Sequence, residues 1–205
     1  MAAQPSVTPN RRGTRSREAV LDAAERLMAE QGYEAATIAA LVEQAGVPAS
    51  SIYHYFGSKE GVLLAVMERG AGRFFGSLPE LESEGTPAAL LAATVEVTSS
   101  ALERHPDFLR LLVVLAAQPV ETDASEVRRV VNRVRNEALV QLRARMEVAF
   151  GVAAESRDAD QLARFTLAAF DGAFIAWQSD PQVRLADLLR HLPAALIAIR
   201  ADLAR

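Results

Sequence analysis

The segment from Thr37 to Glu60, TIAALVEQAGVPASSIYHYFGSKE, constrains the fold more than any other part of the chain. Ile38, Leu41, Val42 and Ala45 recur at helical spacing behind Thr37, a good N-cap, so they predict a short helix with one buried face. Gly46 ends it, because glycine enters the left-handed backbone region without a steric cost. Pro48 follows with its φ already suited to the first turn of a second helix, expected from Pro48 to Tyr55. That helix buries Ile52 and Phe56 and leaves Ala49, Ser50, Ser51, Tyr53, His54 and Tyr55 to a partner. The separation of Gly46 from Ile52 returns the second apolar face to the first across a tight turn, which is helix-turn-helix geometry. Ser58 then caps a further helix whose N-terminus, a natural phosphate site, carries Lys59, the only lysine in the chain.

The flanking sequence completes an all-helical chain. Before the turn, Val20, Leu21, Ala24, Leu27 and Met28 form an inner stripe that Gly32 stops, making a three-helix domain over 14–58. Residues 1–13 contain Pro5, Pro9 and Gly13 without periodicity and are expected to be a disordered, arginine-containing arm. Residues 59–205 predict a helical bundle. A helix from Lys59 buries Val62, Leu63 and Val66 and then meets Gly70, Gly72 and Gly76, which mark a pivot, a close helix approach or an end. Pro79 to Pro87 reads as a loop. Further helices are expected over Ala88–Arg104, from His105-Pro106 until Pro119, over Glu126–Phe150 with its arginines on a solvated outer face, over Asp160–Asp180 and over Arg184–Leu203. The fold class is therefore all-α, with about nine helices.

The run Tyr53-His54-Tyr55-Phe56, the small turn and Lys59 behind this helix-turn-helix resemble the TetR family of bacterial transcriptional regulators over residues 14 to 66. The resemblance implies that Thr37 starts a helix against the DNA backbone, that Ala49, Ser50, Ser51 and Tyr53 occupy recognition positions, and that His54, Tyr55 and Lys59 contact phosphate. Two residues depart from the family pattern. Val42 stands where a small alanine is usual, and Ala49 stands where a longer polar side chain is frequent, so Ala49 offers at most methyl contact to thymine. The resemblance also implies a small effector held in the carboxy-terminal domain and a dimer formed through the last two helices.

Charge distribution qualifies the DNA reading. The chain carries a net charge of −4, whereas DNA binding is driven largely by neutralising phosphates. Arg11, Arg12, Arg15 and Arg17 stand without an acid, but Glu18, Asp22, Glu25, Glu30, Glu34, Glu43 and Glu60 outnumber Arg26 and Lys59 in the next stretch. The arginines are either a solvated tail or a minor-groove arm, with Arg15 and Arg17 the candidate contacts. The chain has no cysteine, no apolar run of roughly 20 residues and no apolar signal-peptide core in residues 1–17, so a cytoplasmic protein is expected. His54, His105 and His191 lie far apart, and no phosphate-loop, dinucleotide-binding, zinc-protease or nucleophile-elbow motif accompanies them. No catalytic residue, metal ligand or cofactor is expected.

Phe74, Phe108, Leu112, Phe165, Phe170, Phe174 and Trp177, with Asp171, are candidates to line an effector pocket or simply to fill a core. Ala169, Gly172, Ala173 and Ala176 on one helix and Leu188, Leu192, Leu196 and Ile199 on another are candidates for the dimer interface or for ordinary packing. The resulting expectation is a homodimeric, ligand-responsive repressor that binds a palindromic operator and is released by a small apolar or aromatic effector. Two alternatives stay open: a DNA-binding regulator without a small ligand, and a helical interaction module or enzyme. A carboxy-terminal cavity above about 300 Å³ favours an effector, and a solid core favours the ligand-free regulator.

Overall fold

The computed structural model describes residues 11–80, 84–117 and 126–205. Residues 1–10 of the arm and the expected stop at Pro119 lie outside the described residues. Those described form ten α-helices and no strand: α1 (Arg11–Gln31), α2 (Ile38–Ala45), α3 (Ala49–Phe56), α4 (Lys59–Gly76), α5 (Pro87–Arg104), α6 (Pro106–Ala117), α7 (Glu126–Phe150), α8 (Arg157–Ser179), α9 (Leu185–Leu189) and α10 (Leu192–Leu203), with a 3-10 turn at Tyr33–Ala35. Helix α1 starts at Arg11, so the last residues of the expected arm are helical.

The helix boundaries follow from side-chain chemistry. The Thr37 hydroxyl accepts from Ala40 N, Gly46 sits at φ 63°, and Ser58 accepts from Gly61 N. Each such cap is worth about 1 kcal/mol. One contiguous apolar core joins Val20, Leu41 and Ile52 at one end to Leu111, Met146 and Leu196 at the other. Helix α4 spans it. Val62, Leu63, Val66 and Met67 pack beneath the helix-turn-helix, while Gly70, Ala71 and Phe74 are buried further along. Helix α1 packs against α2, α4 and α6, so both halves share a wall.

The last segment departs from expectation. Arg184–Leu203 was expected as one helix, but α9 ends at Leu189 and α10 restarts at Leu192 with Pro193 in its first turn. Pro193 has no N–H for the Leu189 carbonyl and its ring would clash with it, so a continuous helix cannot pass. The arginines of α7 are also not all on an outer face: Arg145 is 8% exposed.

The glycines of α4 differ from one another. A Cβ on Gly70 would lie 2.2 Å from Phe108 Cδ2, whereas one on Gly72 would meet nothing within 4 Å. Gly70 is thus a close-approach site against α6, the helix runs unbroken through Gly70 and Gly72, and it ends at Gly76. Gly70→Ala is expected to destabilise the fold by about 1–3 kcal/mol through overpacking. Gly72→Ala is expected to stabilise it by up to about 1 kcal/mol through helix propensity. Chemical denaturation of the two variants measures both.

Candidate nucleic-acid interface and regulatory cavity

Helix α3 buries Ile52 and turns its other face outward: Ser50, Tyr53 and His54 are exposed, Tyr53 by 52%, and Ala49, Ser51 and Tyr55 are half-buried. Two capped helix starts flank this face, α2 at the exposed Thr37 and α4 at Ser58. Val42 is half-buried against the core. The rings of His54 and Tyr55 meet edge-on, with centroids 5.3 Å apart. Arg15 and Arg17 are exposed on α1, and the Arg17 guanidinium lies 5.4 Å from the Phe56 ring centroid, beside the end of α3.

Lys59 is held rather than free. Its Nζ donates to the Glu34 carbonyl and carboxylate, each at 3.2 Å, and stands 4.1 Å from the Tyr33 ring centroid. The Tyr33 hydroxyl donates to Glu60 Oε1 at 3.2 Å. Burial, followed by the charge and hydrogen bond of Glu60 and the charge of Glu34, pushes the Tyr33 phenol up to about 12. This cluster ties the 3-10 turn to the N-terminus of α4.

Several acids that made the first domain look unsuited to DNA face inward toward α4. Arg69 of α4 bonds Glu18 at 3.0 Å, Asp22 at 2.6 Å and Glu25 at 2.6 Å, and Arg73 stands 3.8 Å from Glu25. Burial acts to lower the Arg69 pKa, but the hydrogen bonds and charges of these acids outweigh it and hold the pKa above its ordinary value. Three of the acids of α1 are thereby paired with arginines of α4, which reduces the acidic charge the domain presents.

Between α4, α5, α6, α7 and α8 lies an apolar cavity of about 70 Å³. Phe74, Phe108, Leu112, Phe170 and Asp171 line it, as do Thr98, Arg135, Gln141 and Arg145. Arg135 Nη2 donates to Asp171 Oδ2 at 2.7 Å. The same two residues also border an open groove of about 360 Å³ between α6, α7 and α8, so the ion pair stands between groove and cavity. Three candidates are not among the lining residues. Phe165 is exposed on the outside of α8, and Phe174 is buried against Trp177, with ring centroids 5.8 Å apart. Gln178 bonds Arg110 instead of facing the cavity.

The comparisons with known proteins agree with this architecture. Residues 20–66 match the family model described as bacterial regulatory proteins, tetR family. The family match and the curated relatives together support a regulator of the TetR family. A TetR-family member is a DNA-binding transcriptional regulator, not an enzyme. The chain is 29% identical over 164 residues to the HTH-type transcriptional regulator BetI of Rhizobium meliloti, covering 78% of this chain and 76% of that protein. It is 41% identical over 68 residues to the HTH-type transcriptional repressor AcnR of Corynebacterium glutamicum, about a third of either chain (33% and 36%). The crystal structure of FadR from Bacillus subtilis in complex with stearoyl-CoA superposes with a TM-score of 0.68 at 22% identity, covering 87% of this chain and 96% of that one. At that identity the likeness is one of fold.

The arginines lining the cavity were missed for a specific reason. On α7 the positions 131, 134, 138, 142, 145 and 149 step by three or four, so the inner stripe that Val131, Val134, Ala138 and Leu142 define passes through Arg145. Sorting by residue type placed Arg145 outside, and sorting by position would have placed it inside. The candidate interface residues divide similarly. Ala173, Leu192 and Leu196 are buried within the protomer, so they serve its own core. Gly172 and Leu188 are exposed, and Ala169, Ala176 and Ile199 are half-buried.

The folded state favours the neutral Tyr33 phenol. That contribution to stability is present below pH 10, the ordinary value for tyrosine, and is lost as pH rises through about 12. Ultraviolet titration of the folded protein should show a tyrosine step near pH 12, and Tyr33→Phe should remove it. Persistence of the late step in that variant would assign it elsewhere.

Proposed function

We propose that this regulator is a homodimeric repressor that binds a palindromic operator through α3 and releases it on binding a small effector in the carboxy-terminal domain. The observation that carries the DNA half of this reading is the outward face of α3. Ser50, Ser51 and Tyr53 are placed to meet base edges, with Ala49 offering a methyl group. Thr37 and Lys59 stand at helix N-termini, where backbone N–H groups attract phosphate, and His54 and Tyr55 add side-chain hydrogen-bonding groups in the last turn of α3. Arg17, beside Phe56, and Arg15 on the same helix extend the basic rim.

The dimer rests on an apolar stripe that the protomer leaves uncovered. On α8 it comprises Phe165, Ala168, Gly172 and Ile175, with Phe165 44% and Ile175 48% exposed; on α10 it comprises Ala194, Ile197 and Ala198. The small residues, Gly172 among them with open space beyond its Cα, permit close helix approach. A twofold pair then presents two copies of α3 to half-sites about one helical turn or more apart.

Effector control follows if a ligand prefers a state in which the two α3 helices no longer match the operator, since equal affinity for both states shifts nothing. Helix α4 is the mechanical link. Lys59 stands at one end of it, and Phe74 lines the cavity near the other. A related fold that holds stearoyl-CoA supports a ligand site in such a domain. The cavity of about 70 Å³ falls short of the roughly 300–1,000 Å³ of small-molecule sites. An effector must therefore open the Arg135–Asp171 pair and draw on the adjoining groove. The small cavity also favours a second reading, in which the regulator works without a small ligand and responds to its own concentration or to a partner.

Selection of bound DNA from a random pool, followed by mobility shift, tests the reading. Two half-sites in inverted repeat are expected, and recovery of unrelated sequences would overturn it. Tyr53→Ala should weaken operator binding by about 5- to 150-fold, the loss of roughly 1–3 kcal/mol. Lys59→Met should weaken all sequences alike and reduce the salt slope by about one. Both variants should remain dimeric by sedimentation. Phe165→Asp and Ile197→Asp should each yield folded monomers that no longer shift the full operator.

A further inference from the structure

Arg145 stands apart from the other charged side chains of the carboxy-terminal half. It is 8% exposed, on the inner face of α7, and lines two cavities at once, the central one of about 70 Å³ and a second of about 60 Å³ beside Pro79, Glu80 and Leu90. Its one hydrogen bond among the described residues runs from Nη2 to the Pro79 carbonyl at 3.5 Å, the long limit for such a contact. No described carboxylate pairs with it: Asp171, in the same cavity, is committed to Arg135, and Glu80 borders the second cavity without forming an ion pair. Burial lowers the pKa of Arg145 and nothing opposes that effect, yet a guanidinium cannot be deprotonated at ordinary pH. A full positive charge thus stands against two cavities, with the Pro79 carbonyl its one hydrogen-bond acceptor among the described residues.

Burying an unpaired cation is costly, and other long arginines of this fold avoid the cost. Arg69, Arg135, Arg143 and Arg200 each reach a carboxylate within 3.2 Å. A buried guanidinium presented to a cavity is what a carboxylate requires, since the planar fork accepts its two oxygens in parallel. Thr98 and Gln141 line the same cavity and add a hydroxyl and an amide. The remaining wall is apolar, with Phe74, Phe108, Leu112 and Phe170 among it.

We propose that Arg145 is the anchor for an anionic effector, a carboxylic acid with an apolar body, whose carboxylate pairs with the guanidinium while the body lies against the phenylalanines. The inference rests on the effector reading given above and narrows the ligand to a charge type: a neutral or cationic analogue of the same shape leaves the guanidinium unpaired. Length for the apolar body comes from the groove beyond the Arg135–Asp171 pair.

Octanoate, octanamide and octylammonium share a chain and differ at the head group, so titrating each into the full-length protein by calorimetry isolates the charge. Octanoate should bind at least tenfold more tightly than the other two, and it should raise the melting temperature. Arg145→Met, which keeps the side chain's length, should abolish that preference. In the unliganded state the same substitution should raise the melting temperature by about 2–4 °C, because it removes an uncompensated buried charge. Arg145→Lys should retain a weaker preference for the acid. A lower melting temperature for unliganded Arg145→Met would mean that Arg145 has a structural partner and would overturn the proposal. Equal binding of octanoate and octanamide would overturn it too while leaving the effector reading intact. Binding of none of the three would remove both for chain-bearing ligands.

Discussion

The whole structure depends on α4 satisfying two sets of neighbours at once. Its first turns are buried against the DNA-binding domain, and its middle carries both the ion pairs of Arg69 with three acids of α1 and, one residue on, the contact where Gly70 receives Phe108 of the bundle. Neither attachment leaves slack. Three carboxylates meeting one guanidinium fix direction as well as distance, and a Cα in contact with a ring cannot slide without a clash. A helix held in this way transmits displacement as a lever rather than absorbing it as a hinge. This is why unbroken geometry through Gly70 and Gly72 is informative.

The same ion pairs dispose of an electrostatic difficulty. A DNA-binding domain with more acids than bases is a poor match for a polyanion. Here Arg69 and Arg73 lie outside the three-helix unit in sequence and pair with three of its α1 carboxylates across the shared wall. Of the basic groups near α3, Arg17 keeps a 3.4 Å pair with Glu18 and Lys59 pairs with Glu34, while the other contacts of Glu18 and those of Asp22 and Glu25 are turned to α4. Charge counted along the chain therefore misrepresents charge presented in space, because pairing is decided by packing and not by sequence proximity.

In the carboxy-terminal domain the cavity is small because its walls are phenylalanines and leucines that close on themselves, and it is bounded by the Arg135–Asp171 ion pair and by Arg145, which pairs with no carboxylate among the described residues. Apolar residues collapse readily around a void, and a buried charge without a partner does not favour that collapse. The polar boundaries are thus the places where the packed state is least settled. They are also where a ligand of the right charge gains most.

Much of this was legible in the amino-acid order. Periodicity, caps and glycine placement located α2, α3 and the start of α4 to within a residue, because helix ends are decided by local backbone chemistry: a hydroxyl accepting an amide at Thr37 and Ser58, a left-handed glycine at Gly46. Local chemistry also contained the break at Pro193, which the strong leucine pattern on either side obscured. What no local pattern could decide was the fate of long side chains. Whether Lys59 extends to solvent or folds onto Tyr33, whether Phe165 lines a cavity or faces outward, and whether Arg145 is a surface charge or a buried one all depend on which helix comes to lie opposite. That is set by the joint packing of α4 to α8, and only the tertiary structure brings those partners together.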